Sequence, residues 1–171
     1  MRKVLVILLV AAILATSLAG CGHNEEKDKL YTDLDQFQRL VERNNSEIYA
    51  ACVIERNYMM DNNILKASDD NYAEIALRSF ISEDSPDIDG ITGRMSEIKD
   101  LHEAIQANQW ANDKAPQIVE LEKTTWSSLV AMYGLMLQPE GTPLEFKESF
   151  NNWTDIIDVE VDEIRAFLNE K

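Results

Sequence analysis

Few side chains in this chain can do chemistry, and their spacing narrows what that chemistry is. Among 171 residues, histidine occurs only at His23 and His102, and cysteine only at Cys21 and Cys52. A zinc site built from two histidines on one helix face is therefore absent, and so is the Glu-x-x-His pair of carboxylate-bridged di-iron bundles, because position 99 is Lys99. No Cys-x-x-Cys-His haem attachment and no Gly-x-Ser-x-Gly nucleophile elbow is present. His102 has Asp100 and Glu103 close in sequence, the setting of a base or pH switch. As a lone histidine on an apolar stripe, it is expected to be a packed residue with one hydrogen bond. Cys52, within Ala50-Ala51-Cys52-Val53-Ile54, is expected to be a buried thiol and not a reactive one, since no basic residue or second cysteine lies close by to lower its pKa.

Two acidic groups are candidates for cations. Asp84, Asp87 and Asp89 before Gly90 approach the spacing of a calcium loop, where alternating oxygen ligands precede a turning glycine. With Gly90 as that glycine, the first ligand position falls on Ser85 and the last on Ser96, and the nearest acid, Glu97, comes one residue late. An acidic helix entry is the expectation here, with cation binding by Asp87 and Asp89 as the alternative. Asp155, Asp158 and Asp162 share one face of a predicted helix that also carries Glu160 and Glu163, a surface suited to a basic partner or to solvent. Of the three tryptophans, Trp126 and Trp153 fall on core stripes. Trp110, among Asn108, Gln109 and Asn112, is expected to be exposed as a contact residue.

The elements that position these residues are helices. Leu30, Leu34, Phe37, Val41, Ile48 and Ala51 recur at helical spacing and predict a first helix from about Asp33 to Asn62, roughly 45 Å long at 1.5 Å per residue. Thr32 and Asp35 look like its capping box, and Asn44-Asn45 marks a point for a kink. A shorter helix follows from Ser68 to Ile81, and Ser85-Pro86 opens another, firm from Arg94 to Trp110. Pro116 starts a fourth helix whose two adjacent apolar stripes predict a central position. Thr142, Pro143 and Glu145 cap a fifth, with Phe146, Phe150, Trp153, Ile157, Val161 and Ile164 on its inner side. The expected fold is all-α, a bundle of four long helices plus one short helix joined by short loops.

The beginning of the chain sets where it works. Arg2 and Lys3, an apolar run from Val4 to Leu14 and small residues before Cys21 form a secretory signal, too short to span a membrane, which needs about 20 apolar residues. Leu18-Ala19-Gly20-Cys21 resembles the lipobox of bacterial lipoproteins. That resemblance implies cleavage before Cys21, lipid (palmitate and related acyl chains) on its sulfur and amine, and an extracytoplasmic protein anchored in the cell envelope. Gly22 after the cysteine implies the outer membrane in a two-membrane host. In a single-membrane host the place is the outer face of the cell membrane. The expected organisation is a signal over 1–20, a lipidated cysteine and polar tether over 21–31, and an acidic bundle over 32–171. The mature length suffices for one domain burying roughly 68 to 70% of its unfolded surface.

Charge then bounds the partners. The chain has 16 basic and 31 acidic residues, and loss of Arg2 and Lys3 leaves a mature net charge of −17. A field of that sign repels phosphate backbones and anionic lipid, so nucleic acid is not an expected partner and the body should stand off its membrane. A protein partner in the envelope is expected, and no cofactor is called for. An enzymatic alternative comes from Glu148-Ser149 and Gly134-Leu135-Met136-Leu137-Gln138, which resemble motif fragments of lytic transglycosylases. The two fragments stand in reverse order, with Leu137 inserted, so a general-acid role does not transfer securely to Glu148. The expected function is a membrane-anchored, non-catalytic binding module with a cation-binding domain or a cell-wall hydrolase as alternatives.

Overall fold

The computed structural model describes the backbone of residues 2–64 and 87–170 and the side chains from residue 25 onward. These residues form an all-α bundle of five helices: α1 (Arg2–Asp61), α2 (Ile88–Gln106), α3 (Gln109–Lys114), α4 (Pro116–Leu137) and α5 (Pro143–Asn169). Among the described residues there is no strand. The short helix expected over 68–81, and the Ser85-Pro86 helix start, lie outside the described residues.

Four long helices pack so that neighbours around the bundle run α1, α2, α4, α5 and back to α1, while α1 also touches α4 across the middle. Each neighbour is antiparallel to the next. Asn44 meets Ile91 along α1 and α2 and Glu26 meets Asn108 just past the end of α2, and Tyr31 stacks on Phe167 whereas Tyr49 meets Phe150 along α1 and α5. Leu30, Leu34, Phe37, Val41 and Ile48 of α1 close with Ile91, Ile98 and Ile105 of α2, Leu129 and Met132 of α4, and Phe146, Phe150 and Ile157 of α5. These are the positions the helical period singles out, and truncating a phenylalanine among them would cost about 3–5 kcal/mol.

Local signals explain the helix ends. Thr142 and Glu145 form a reciprocal capping box, Glu145 N–H donating to Thr142 Oγ1 at 3.3 Å and Thr142 N–H to Glu145 Oε2 at 2.8 Å. The turn before it needs φ +80° at Gly141, the left-handed region where glycine is favoured. Pro116 opens α4 in its first turn, where a missing N–H costs nothing.

Other boundaries differ from expectation. α1 does not start near Asp33: residues 25–31 are helical, and Thr32 Oγ1 donates to Asp28 O inside the helix instead of capping it. Asn44 and Asn45 do not interrupt α1, because both are buried and bonded outward to neighbouring helices. The helix expected to end at Trp110 stops at Gln106, and α3 restarts with Asn108 as its cap, Ala111 N–H donating to Asn108 Oδ1 at 2.8 Å. The second stripe of α4 is not enclosed, since Val130 and Leu137 are exposed.

Candidate interaction site

On α5, Asp155, Asp158 and Asp162 stand on one exposed face, as their three- and four-residue spacing requires. The structure sets Glu42 of α1 beside them. Asn45, itself buried, donates from Nδ2 to Asp158 Oδ1 at 3.0 Å and so pins the middle of this face to α1. Partial burial pushes the Asp158 carboxyl up from its ordinary value, and the negative charges of Asp155, Asp162 and Glu42 push it further, against the Asn45 hydrogen bond, which lowers it. Among the described residues one cation enters the group: Arg165 donates from Nη1 to Asp162 at 2.5 Å and from Nη2 to Glu42 at 3.1 Å. The result is a seam of four carboxylates across two helices with one guanidinium among them.

Trp110, in the first turn of α3, is half-buried against the core, not exposed as expected. Its backbone N–H donates to Glu26 Oε2 at 3.1 Å, and its ring lies 5.6 Å from the Lys27 ammonium, which is also 5.7 Å from the Tyr31 ring. Asn108 Nδ2 donates to Glu26 O at 2.9 Å. The residues read as tether thus hold one end of the bundle together.

The residues weighed for cations and catalysis sit apart from one another. Asp87 is the N-cap of α2, its Oδ1 accepting from Gly90 N–H at 2.9 Å, and Asp89 lies in the first turn. Among the described residues, no group of three or more His, Cys, Asp or Glu side chains is arranged to hold a metal ion. Glu148 is exposed on α5. Ser149 borders a cavity of about 390 Å³ with Gly134, Gln138, Glu140 and Trp153, but Glu148 does not line it. His102 is partly buried on α2, its Nδ1 2.9 and 3.1 Å from the two carboxyl oxygens of Glu122 and its ring stacked on Trp126. Its partner comes from α4, not from Asp100 or Glu103. Glu122 is 0% exposed; burial raises its carboxyl, while Gln106, donating at 2.7 Å, and His102 lower it. Cys52 is buried, as expected, and burial first, then the charge of Glu55, pushes its thiol well above the ordinary range.

Sequence reasoning missed the buried polar residues. Glu55 is 1% exposed, its Oε2 has no hydrogen-bond partner, and burial pushes its carboxyl up to about 9. Arg94, also buried, donates from Nε to Asn44 Oδ1 at 3.0 Å and pairs with Glu47. Register carried a signal: Glu55 follows Ala51 by four residues and Cys52 by three, Glu122 follows Ile118 by four, and Arg94 follows Ile91 by three. Each charged residue occupies a core position of its own stripe.

Compared with known proteins, the chain matches no family model, no curated protein and no solved structure.

Proposed function

We propose that this chain is a bacterial lipoprotein, anchored through lipid on Cys21 to the extracytoplasmic side of an envelope membrane, and that its helical bundle is a non-catalytic module that binds a basic protein surface. The observation that carries the binding site is the carboxylate seam of Asp155, Asp158, Asp162 and Glu42, where among the described residues Arg165 is the one cation engaged. Bringing a lysine- or arginine-rich partner to this seam relieves the like-charge repulsion that adds to the burial-driven rise of Asp158. Charges so exposed act mainly on association rate and partner choice. The anchoring reading rests on Leu18-Ala19-Gly20-Cys21 and the basic and apolar residues before it.

Cross-linking in the native host, followed by affinity recovery of the full-length protein and mass spectrometry, tests the binding role. One dominant protein partner is expected, recovered with wild type at low salt and lost when Asp155, Asp158 and Asp162 are all changed to Asn. Equal recovery with the triple variant would remove the acidic seam as the site. Anchoring is tested separately: Cys21→Ala protein should leave the membrane fraction.

A further inference from the structure

The end of the bundle nearest Cys21 differs from the rest of the molecule in chemistry. Over residues 25–29 and 110–114, three lysines (Lys27, Lys29, Lys114) stand among four acids (Glu25, Glu26, Asp28, Asp113), with Glu163 and Glu170 of α5 beside Phe167 at the same end. The same end gathers Trp110, Tyr31 and Phe167, the last two stacked with ring centroids 5.4 Å apart, and sets the Lys27 ammonium between the Tyr31 and Trp110 rings. Amphipathic indole and phenol rings with neighbouring lysines are the residues that settle at a membrane–water interface.

Distance decides whether they reach it. Leu30 is fully buried, and Glu26 is bonded to both Asn108 and Trp110, so the chain from residue 26 onward is part of the bundle and does not serve as a tether. Five residue steps lead from Cys21 to Glu26. In the helix that α1 forms there they span about 8 Å, and even fully extended they reach roughly 18 Å. The polar layer of a bilayer is about 5–8 Å deep on each side. With α1 helical from Cys21 to Glu26, an anchor at Cys21 sets Glu26 at the outer edge of the headgroup layer, and the bundle stands clear only if this turn of helix unwinds.

We infer that this end of the bundle, centred on Trp110 with Tyr31, Lys27 and Phe167, is a membrane-contact surface that seats among zwitterionic lipid headgroups and holds the long axis of the bundle away from the bilayer. The inference rests on the proposed lipid attachment at Cys21. It assigns Trp110 to lipid and leaves the acidic seam to the protein partner.

The test uses full-length lipidated protein reconstituted into phosphatidylcholine vesicles that carry a nitroxide on the headgroup. Two single-tryptophan versions are compared, one keeping Trp110 (Trp126→Phe, Trp153→Phe) and one keeping Trp153 (Trp110→Phe, Trp126→Phe). Trp153 lies fourteen residues before Phe167 on α5, about 21 Å further from the anchored end. Trp110 should be quenched more strongly than Trp153, as headgroup-level placement requires. Equal quenching, or stronger quenching of Trp153, overturns the inference, whereas protein that does not float with the vesicles overturns the anchor beneath it. Should a tryptophan variant fail to fold, amide exchange on the wild-type protein decides the same question: residues 108–114 should exchange more slowly on vesicles than in free Cys21→Ala protein, with 143–150 unchanged. Equal exchange at 108–114 would count against the contact.

Discussion

Glu55 holds a carboxyl inside the α1 core stripe with one oxygen unpartnered, and burial alone keeps its proton on to about pH 9. An unfolded glutamate loses that proton near pH 4.5. Between these values the folded state binds the proton more tightly, so the contribution of Glu55 to stability is full below about pH 4.5 and is lost as pH rises toward 9. At neutral pH the side chain thus opposes folding, and Glu55→Gln, similar in shape and without a titrating proton, should raise stability at pH 7 by on the order of 2–3 kcal/mol. Thermal melts of wild type and Glu55→Gln at pH 5, 7 and 8.5 check this. The gap should widen with pH, and a constant gap would mean that the proton on Glu55 is not the cause. The fully buried Glu122 has the opposite arrangement, because His102 and Gln106 both contact its oxygens. His102→Ala should destabilise by about 1–3 kcal/mol by leaving buried oxygen poorly satisfied, measured by urea unfolding. A loss below about 0.5 kcal/mol, the low end for a net hydrogen bond, would show that water replaces the imidazole.

At the scale of helices, the seam between α4 and α5 depends on its cap. Thr142→Ala removes the hydroxyl that accepts from Glu145 N–H and should cost about 1 kcal/mol in chemical unfolding. Gly141→Ala should also destabilise, because its φ is +80° and the added Cβ would lie 2.9 Å from Glu145 Oε2, the other half of the box. If neither change lowers stability, the first turn of α5 is held by packing and not by its cap. This cap was legible in sequence because Thr-Pro-x-Glu encodes it within four residues. The apolar stripes of α1, α2 and α5 were legible for the same reason, each being a periodic signal inside one element. The start of α1 was not. Gly22 to Lys29 has no stripe, and what holds residues 25–29 in a helix is distant: Asn108 and Trp110 reach Glu26 across 82 and 84 residues. The break at Ala107 was hidden in the same way, since Asn108 reads as one more polar residue until its contacts with Glu26 and Ala111 are seen. In the candidate site, the shared face of Asp155, Asp158 and Asp162 follows from spacing. Its links to Asn45 and to Glu42 span more than 110 residues, and no local pattern encodes them.

For the molecule as a whole, the direction of its carboxyl shifts and its net charge point the same way. Glu55, Glu122, Asp158 and Glu160 are all raised, with burial as the first cause in each. Each therefore favours the folded state at low pH and loses that contribution as pH rises through its folded value. Self-repulsion among 31 acidic residues against 16 basic ones adds to the loss, because every carboxylate that ionises increases the excess. The stability maximum should lie on the acidic side, with a melting temperature higher at pH 5 than at pH 8. The two causes separate by their response to salt. Repulsion between exposed charges fades when the Debye length falls from about 10 Å at 0.1 M to 3 Å at 1 M, whereas a buried carboxyl is little affected. Adding salt at pH 8 should therefore recover part of the lost stability, and Glu55→Gln should recover a further part at any salt concentration. The triple change of Asp155, Asp158 and Asp162 to Asn should raise the melting temperature at low salt and have little effect at 1 M. If salt instead restored the whole difference between pH 8 and pH 5, surface repulsion alone would account for it, and the buried carboxyls would have no part in setting the pH at which this bundle is most stable.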